Sequence, residues 1–231
     1  MLPRALSQKS SGDIQGESNN MHFFTMVQFL AFVAASLLCI IAPGPDNLGV
    51  LSLGLSRGRK AGMGYAAGCA LGCLTHTTWA SLGLTALVAA SPAAFGVMKF
   101  AGAGYLCYLG VKALKSKGAS LETKGEPAGD TRQFLLRGFV SNALNPKVAL
   151  FFLAFLPQFI NPRGSVGLQM LILGACFGLM TLTAFTLLGY FSGAIGAWLR
   201  RRPSVSRWLD RATGYLFIGL GVRLALAKQR M

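Results

Sequence analysis

The chain has 231 residues, 53% of them hydrophobic and 13% charged, and a formal net charge of +15. A soluble domain holds about 25% charged residues, whereas several runs here exceed the roughly 20 apolar residues that cross a bilayer, so water is not the main solvent. The basic residues sit in loops between apolar stretches and no basic run interleaves with aromatics, which assigns the charge to membrane topology and argues against a nucleic-acid partner.

Residues 1–22 are polar, rich in Ser, Gly, Gln and Asn, and lack an apolar h-region. They read as a disordered extension and not as a signal peptide, with Met21 and Met26 as alternative starts. Six apolar spans follow, at about 27–55, 62–89, 94–114, 134–159, 168–199 and 208–227, and the expected fold is an all-α integral membrane domain over 23–231. The first span is too long for one upright crossing, as a tilted or broken helix would be. Proline removes a backbone donor, so Pro43, Pro45 and Pro146 are expected to break the first and fourth spans. A linker rich in Lys, Glu, Gly and Pro, about 115–132, divides the chain into halves of about 24–114 and 133–228.

Orientation follows from lysine and arginine. Arg57, Arg59 and Lys60 follow the first span. Lys112, Lys115, Lys117, Lys124, Arg132 and Arg137 follow the third, and Arg200, Arg201, Arg202, Arg207 and Arg211 the fifth. The alternate loops offer Lys99 and Arg163. The rich loops are therefore expected in the cytoplasm and both termini outside, although Arg223, Lys228 and Arg230 oppose this mildly.

The halves resemble each other when aligned at their breaks. Pro45-Asp46 matches Pro146-Lys147, and Gly68 to Gly72 matches Gly174 to Gly178. The segment from Gly104 to Lys112 is answered by the one from Gly214 to Arg223, which is one residue longer. With three spans per half, the second half must insert upside down. This is the inverted-repeat plan of many secondary transporters, whose broken helices bind cargo near the midplane.

The candidate site gathers at the breaks: Pro43, Gly44, Pro45, Asp46 and Asn47 in the first half, Asn142, Asn145, Pro146 and Lys147 in the second, and His76 between them. Asp46 lies eleven residues from Arg57, about 16 Å along a helix and so near the bilayer centre. An ionisable group at that depth is costly and points to function; capping the helix after Pro45 is the other reading of Asp46. Lys147 lies at a similar depth, with snorkelling as its alternative role. The two charges suggest either a mutual ion pair or a split receptor for a zwitterion, Asp46 meeting an ammonium and Lys147 with the freed amides meeting a carboxylate. The asparagines serve either the cargo or the freed backbone groups. His76 serves either as a proton relay or as a hydrogen-bonded link between helices.

Cys39, Cys69, Cys73, Cys107 and Cys176 lie within apolar stretches without zinc or redox spacing, and His22 and His76 form no metal pair. No P-loop, nucleophile elbow or HExxH motif is present. These observations lead us to expect no cofactor, no metal and no enzyme activity. A membrane-embedded enzyme or thiol–disulfide carrier is disfavoured, and a permease for another small solute or ion is the competing reading.

The stretches Pro43 to Asn47, Ser56 to Gly62, Gly68 to Gly72, His76, Ala101 to Leu106 and Asn142 to Phe159 closely resemble the lysine exporter and homoserine–threonine exporter family of bacterial amino-acid exporters, with similarity from about Phe24 to the end. The resemblance implies efflux of amino acids or close derivatives, such as homoserine, threonine, leucine or basic amino acids, driven by the membrane potential or a proton gradient. The leading expectation is a proton-coupled exporter of the bacterial cytoplasmic membrane whose two halves rock in alternating access around the breaks, with His76 or Asp46 changing protonation. Many relatives carry an acidic residue after the second-span glycines where this chain has Cys73. That difference speaks against a cargo needing a second buried carboxylate, such as a basic amino acid. A six-helix bundle is small enough that a homodimer is compatible with it, but the sequence names no surface.

Overall fold

The computed structural model describes residues 24–90, 92–116, 129–161 and 164–226, and among them every regular element is helical. The polar extension 1–22 and most of the linker lie outside the described residues.

Helix α1 (Met26–Ile41) opens with a capping box, in which the Thr25 side chain accepts from Gln28 N and the Gln28 side chain accepts from Thr25 N. It ends at Ala42, where Pro43 has no amide to continue the ladder. The chain resumes as α2 (Pro45–Arg57), with Pro45 in the first turn, where its missing donor costs nothing. The two axes differ by 52°. The second half repeats this arrangement with α5 (Thr131–Ala143) and α6 (Pro146–Leu150), and the segment Pro146–Phe159 is bent by 47° from α5. Its continuation differs: a π turn spans Phe151–Phe155 and a 3₁₀ turn spans Leu156–Phe159.

Between these bent pairs run α3 (Arg59–Ala90) and α4 (Pro92–Leu114). After them come α7 (Val166–Tyr190), α8 (Ser192–Arg201) and α9 (Pro203–Leu226). The apolar stretch 168–199, expected as one span, is thus two helices. They part at Phe191, beside Gly189, Ser192 and Gly193, residues that yield readily to a kink. There Ser192 turns inward and is 1% exposed.

By length and composition, α7 is able to cross a membrane, and each bent pair is so as one span. Helices α3, α4 and α9, of 32, 23 and 24 residues, each exceed about 30 Å in length.

Helix α3 is the axis of the bundle. It packs along α5 on one side and α7 on the other, while α4 pairs with α9. The approach to α5 is backbone-close: a Cβ on Gly68 would overlap the Leu135 carbonyl, and one on Gly138 would overlap the Tyr65 carbonyl. Against α7, a Cβ on Gly189 would lie 2.8 Å from Gly62 C. Small residues permit this proximity in membrane helices. The order of the contacts (64 with 131, 68 with 135, 72 with 142) makes α3 and α5 parallel, whereas 62 with 189 and 174 with 77 make α3 and α7 antiparallel.

The main core is built from α1, α2, α3, α5, α7 and the phenylalanines Phe151, Phe152, Phe155 and Phe159. A second, separate cluster holds Ala42, Ala103, Leu106, Phe217 and Leu224, on the α4–α9 side. Along that seam, α4 residues Ala101, Gly102 and Tyr105 face Pro146, Ala149, Leu150 and Leu153 across a largely apolar groove of about 390 Å³.

Candidate functional site

The two breaks meet. Asp46, in the first turn of α2, is 1% exposed. Its Oδ1 accepts from Ser141 Oγ at 2.8 Å, and its Oδ2 accepts from Asn142 Nδ2 at 2.8 Å and Asn145 Nδ2 at 2.9 Å. One carboxylate from the first half is therefore held by three donors from the second, at the positive end of its own helix. Asn145 serves both sides, because its Oδ1 also accepts from Lys147 N at 3.0 Å and so caps α6. Gly44 heads α2 and offers no side chain, which leaves the first amides of that helix without a side-chain cap.

Lys147 is buried and reaches back to the first break, where Nζ donates to Ala42 O at 2.8 Å. That carbonyl is freed because Pro43 and Pro45 interrupt the ladder. Gly44 leaves the room: a Cβ there would stand 2.9 Å from Lys147 Nζ. Asp46 and Lys147, for which a mutual ion pair was one sequence expectation, are each engaged with other groups of the opposite break. Asn47 Nδ2 donates to Ile40 O at 2.9 Å, satisfying a second freed carbonyl. Pro45 and Pro146 lie at exposed positions and Pro43 at a half-buried one, so the prolines shape the breaks without entering the bonded network.

His76 closes the group from α3, with Nε2 2.8 Å from Asn142 O. Gly72, one turn earlier on the same face, faces the same residue, and a Cβ there would lie 2.7 Å from Asn142 Cβ. The His76 ring rests 5.8 Å from that of Phe152, on the π turn.

Two acceptors in this group have no partner: Asn47 Oδ1 and Asn142 Oδ1. The amide orientation of each is fixed by its own NH₂, which must face Ile40 O in one case and the Asp46 carboxylate in the other. A buried acceptor left unpaired costs about 1–3 kcal/mol. The site therefore holds a carboxylate and two unpaired amide oxygens, that of Asn142 turned toward Gly72, together with an ammonium and uncapped helix amides. Among the described residues no group of three or more His, Cys, Asp or Glu is placed to hold a metal ion.

All ten residues expected at the breaks and in the second span lie in or beside this group. Two contributors went unnoticed in the sequence. Ser141 precedes Asn142 directly and was readable as a further donor beside the second break. The Ala42 carbonyl is a backbone group that no residue type announces.

The chain that builds this arrangement has known relatives. Residues 37–228 match the family described as LysE type translocator. The chain belongs to that family. A homoserine/homoserine lactone efflux protein of Salmonella typhimurium is 31% identical to this translocator over 205 residues, covering 88% of this chain and 98% of the relative. A leucine efflux protein of Enterobacter sp. is 31% identical over 210 residues, covering 87% and 97%. A membrane protein of Bacillus subtilis, YrhP, is 30% identical over 211 residues, covering 87% and 100%. No solved structure matches the chain. The family and these relatives make the LysE-type chain a multi-pass membrane transporter of the amino-acid efflux type.

Proposed function

We propose that this protein exports amino acids or close derivatives across the bacterial cytoplasmic membrane by alternating access, drawing on the proton gradient. The observation that carries the reading is the meeting of the two breaks: a buried carboxylate with an unpaired amide oxygen on its partner Asn142 and another on the adjoining residue Asn47, and a buried ammonium by the uncapped start of α2. A zwitterionic amino acid matches both parts. Its ammonium carries three N–H donors for Asp46 Oδ2, Asn47 Oδ1 and Asn142 Oδ1. Its carboxylate is met by Lys147 Nζ and the first amides of α2, as half-helix N-termini meet anionic groups in other transporters.

The bonds between the breaks describe the site closed on itself. Cargo enters by replacing Asn145 on the carboxylate and Ala42 O on the lysine, so binding and opening are one exchange of hydrogen bonds. His76, linked to Asn142 O, is the candidate for carrying the coupled proton. Six crossings in two inverted halves accommodate the broken pairs together with α3, α4, α7 and α9, with the basic loops inside and both ends of the chain outside.

The test is flux in proteoliposomes. Wild-type protein should release preloaded labelled amino acids in response to an imposed proton gradient, Asp46→Asn should do so at least ~100-fold more slowly, and Lys147→Met should need a cargo concentration roughly 10-fold higher. Undiminished flux in both variants would discard the site, and a failure of every free amino acid to move would discard the cargo class.

A further inference from the structure

The break site leaves one strongly charged feature of the molecule unused. The end of α2, the start of α3, the end of α7 and the start of α9 lie on one side of the bundle. Gly62 meets Gly189, the Arg59 guanidinium lies 5.0 Å from the centre of the Tyr190 ring, and Ser116 Oγ after α4 donates to Asp210 in α9 at 2.6 Å. Helix α8 lies at this end and, at ten residues, is too short to cross a bilayer. One face of it is seated on α2. A Cβ on Gly54 would overlap the Ser192 side chain, and one on Gly196 would come within 2.5 Å of Leu55 Cδ2. The outward face begins with Phe191, 50% exposed, and ends with Trp198, 46% exposed. Arg202 stacks on that tryptophan, its guanidinium 5.8 Å from the ring centroid. Arg201, Arg202, Arg207 and Arg211 are exposed, as are Arg59 and Lys60 across the α2–α3 turn. The acid among them, Asp210, is 7% exposed and turned inward to Ser116. The surface thus pairs an apolar aromatic edge with concentrated positive charge whose neighbouring carboxylate is withdrawn.

We infer that this surface is a binding site for an anionic phospholipid headgroup. In it α8 lies in the interface, with Trp198 and Phe191 at the acyl boundary and the arginines on the phosphate. Short amphipathic helices with aromatic and basic residues lie in the membrane plane in this way, and basic clusters beside membrane helices take anionic headgroups. Arginine is suited to phosphate because its planar fork donates in pairs. Seating α8 on α2 gives the lipid a mechanical link to the break, since α2 carries Asp46 in its first turn. The site therefore sets the rate of the exporter as well as its anchoring. This last consequence rests on the proposed transport function; the binding does not.

Binding is read on purified protein in a neutral detergent, as the shift in melting temperature when phosphatidylglycerol, phosphatidylcholine or inorganic phosphate is titrated in. Wild-type protein should be stabilised by phosphatidylglycerol alone. In Arg201→Gln/Arg202→Gln the half-saturating lipid concentration should rise on the order of tenfold, and in wild type it should rise with salt as an exposed charge interaction must. Should the double variant not fold, Arg207→Gln/Arg211→Gln supplies the same reading from α9. Equal stabilisation by phosphatidylcholine overturns the proposal, as does full stabilisation by inorganic phosphate, which would mark a site for a free anion. In liposomes, flux should increase several-fold when phosphatidylglycerol is added to phosphatidylcholine, and the double variant should lose that increase while keeping the basal rate. Specific binding without any flux in either lipid would overturn the exporter reading and leave the lipid site standing.

Discussion

The two breaks are built alike yet end differently. The first gives way to α2, thirteen residues of regular helix headed by a glycine with no side-chain cap. The second is capped by its own Asn145 and gives way to five residues of α-helix, a π turn and a 3₁₀ turn. A regular helix with open amides holds a fixed field at its N-terminus. A segment that changes helical type within fourteen residues is one where the ladder is readily rearranged. The first break therefore supplies the carboxylate and a regular helix, and the second supplies its three donors, the lysine and a segment of mixed helical type. The two sequences have the same proline-plus-ionisable pattern, but their neighbours decide which task each performs.

This contrast is open to experiment. Its largest consequence concerns Asp46, which gathers Ser141, Asn142 and Asn145. Asp46→Asn places an amide donor against donors, and leaving a buried hydrogen-bonding group without its partner costs about 1–3 kcal/mol. Flux should fall by at least ~100-fold while the protein still inserts and purifies. Lys147→Met comes next. It should raise the apparent KM for cargo by roughly 10-fold or more through the lost carboxylate contact, with less effect on an ester that lacks the carboxylate charge; equal losses for acid and ester would remove the lysine from binding. Asn145→Ala deletes a helix cap worth about 1 kcal/mol together with a donor to Asp46. It should lower both flux and melting temperature, and Asn145→Asp, which keeps the cap acceptor but sets a second carboxylate in place of the donor 2.9 Å from Asp46 Oδ2, should lower both further. The smallest effect separates packing from chemistry. Gly68→Ala pushes into the Leu135 carbonyl and should cost about 1–3 kcal/mol, whereas Gly104→Ala, with nothing within 4 Å of the added methyl, should leave the unfolding free energy within about 0.5 kcal/mol of wild type.

Much of this was legible because prolines and ionisable residues in apolar runs have few interpretations. Pro43, Pro45 and Pro146 marked both bends, and the depth of Asp46 and Lys147 marked them as costly. The glycine spacing at Gly68 and Gly72 signalled close packing, although only the structure shows that Gly68 admits a backbone and Gly72 makes way for Asn142. Other features left no mark. The parting of α7 from α8 lies within continuous apolar sequence, since Phe191 and Ser192 have no fixed meaning until Gly54 is seen opposite. At the π turn Phe151–Phe155, Phe151 and Phe152 stack on Phe177 and Phe155 on Phe151, tertiary contacts that periodicity does not encode. The Ala42 carbonyl is invisible for a simpler reason: every residue has one, and only the geometry of the break frees it.

The position of α3 has a consequence for how such a protein can move. Helix α3 comes from the first half of the chain and is clasped between two helices of the second, touching one of them main chain to main chain. Pulling the halves apart would unzip the tightest seam in the molecule, whereas the α4–α9 pair meets the remainder through a smaller apolar cluster of its own. The boundary between the two halves of the sequence is therefore not the loosest boundary in the packing, which runs around α4 and α9.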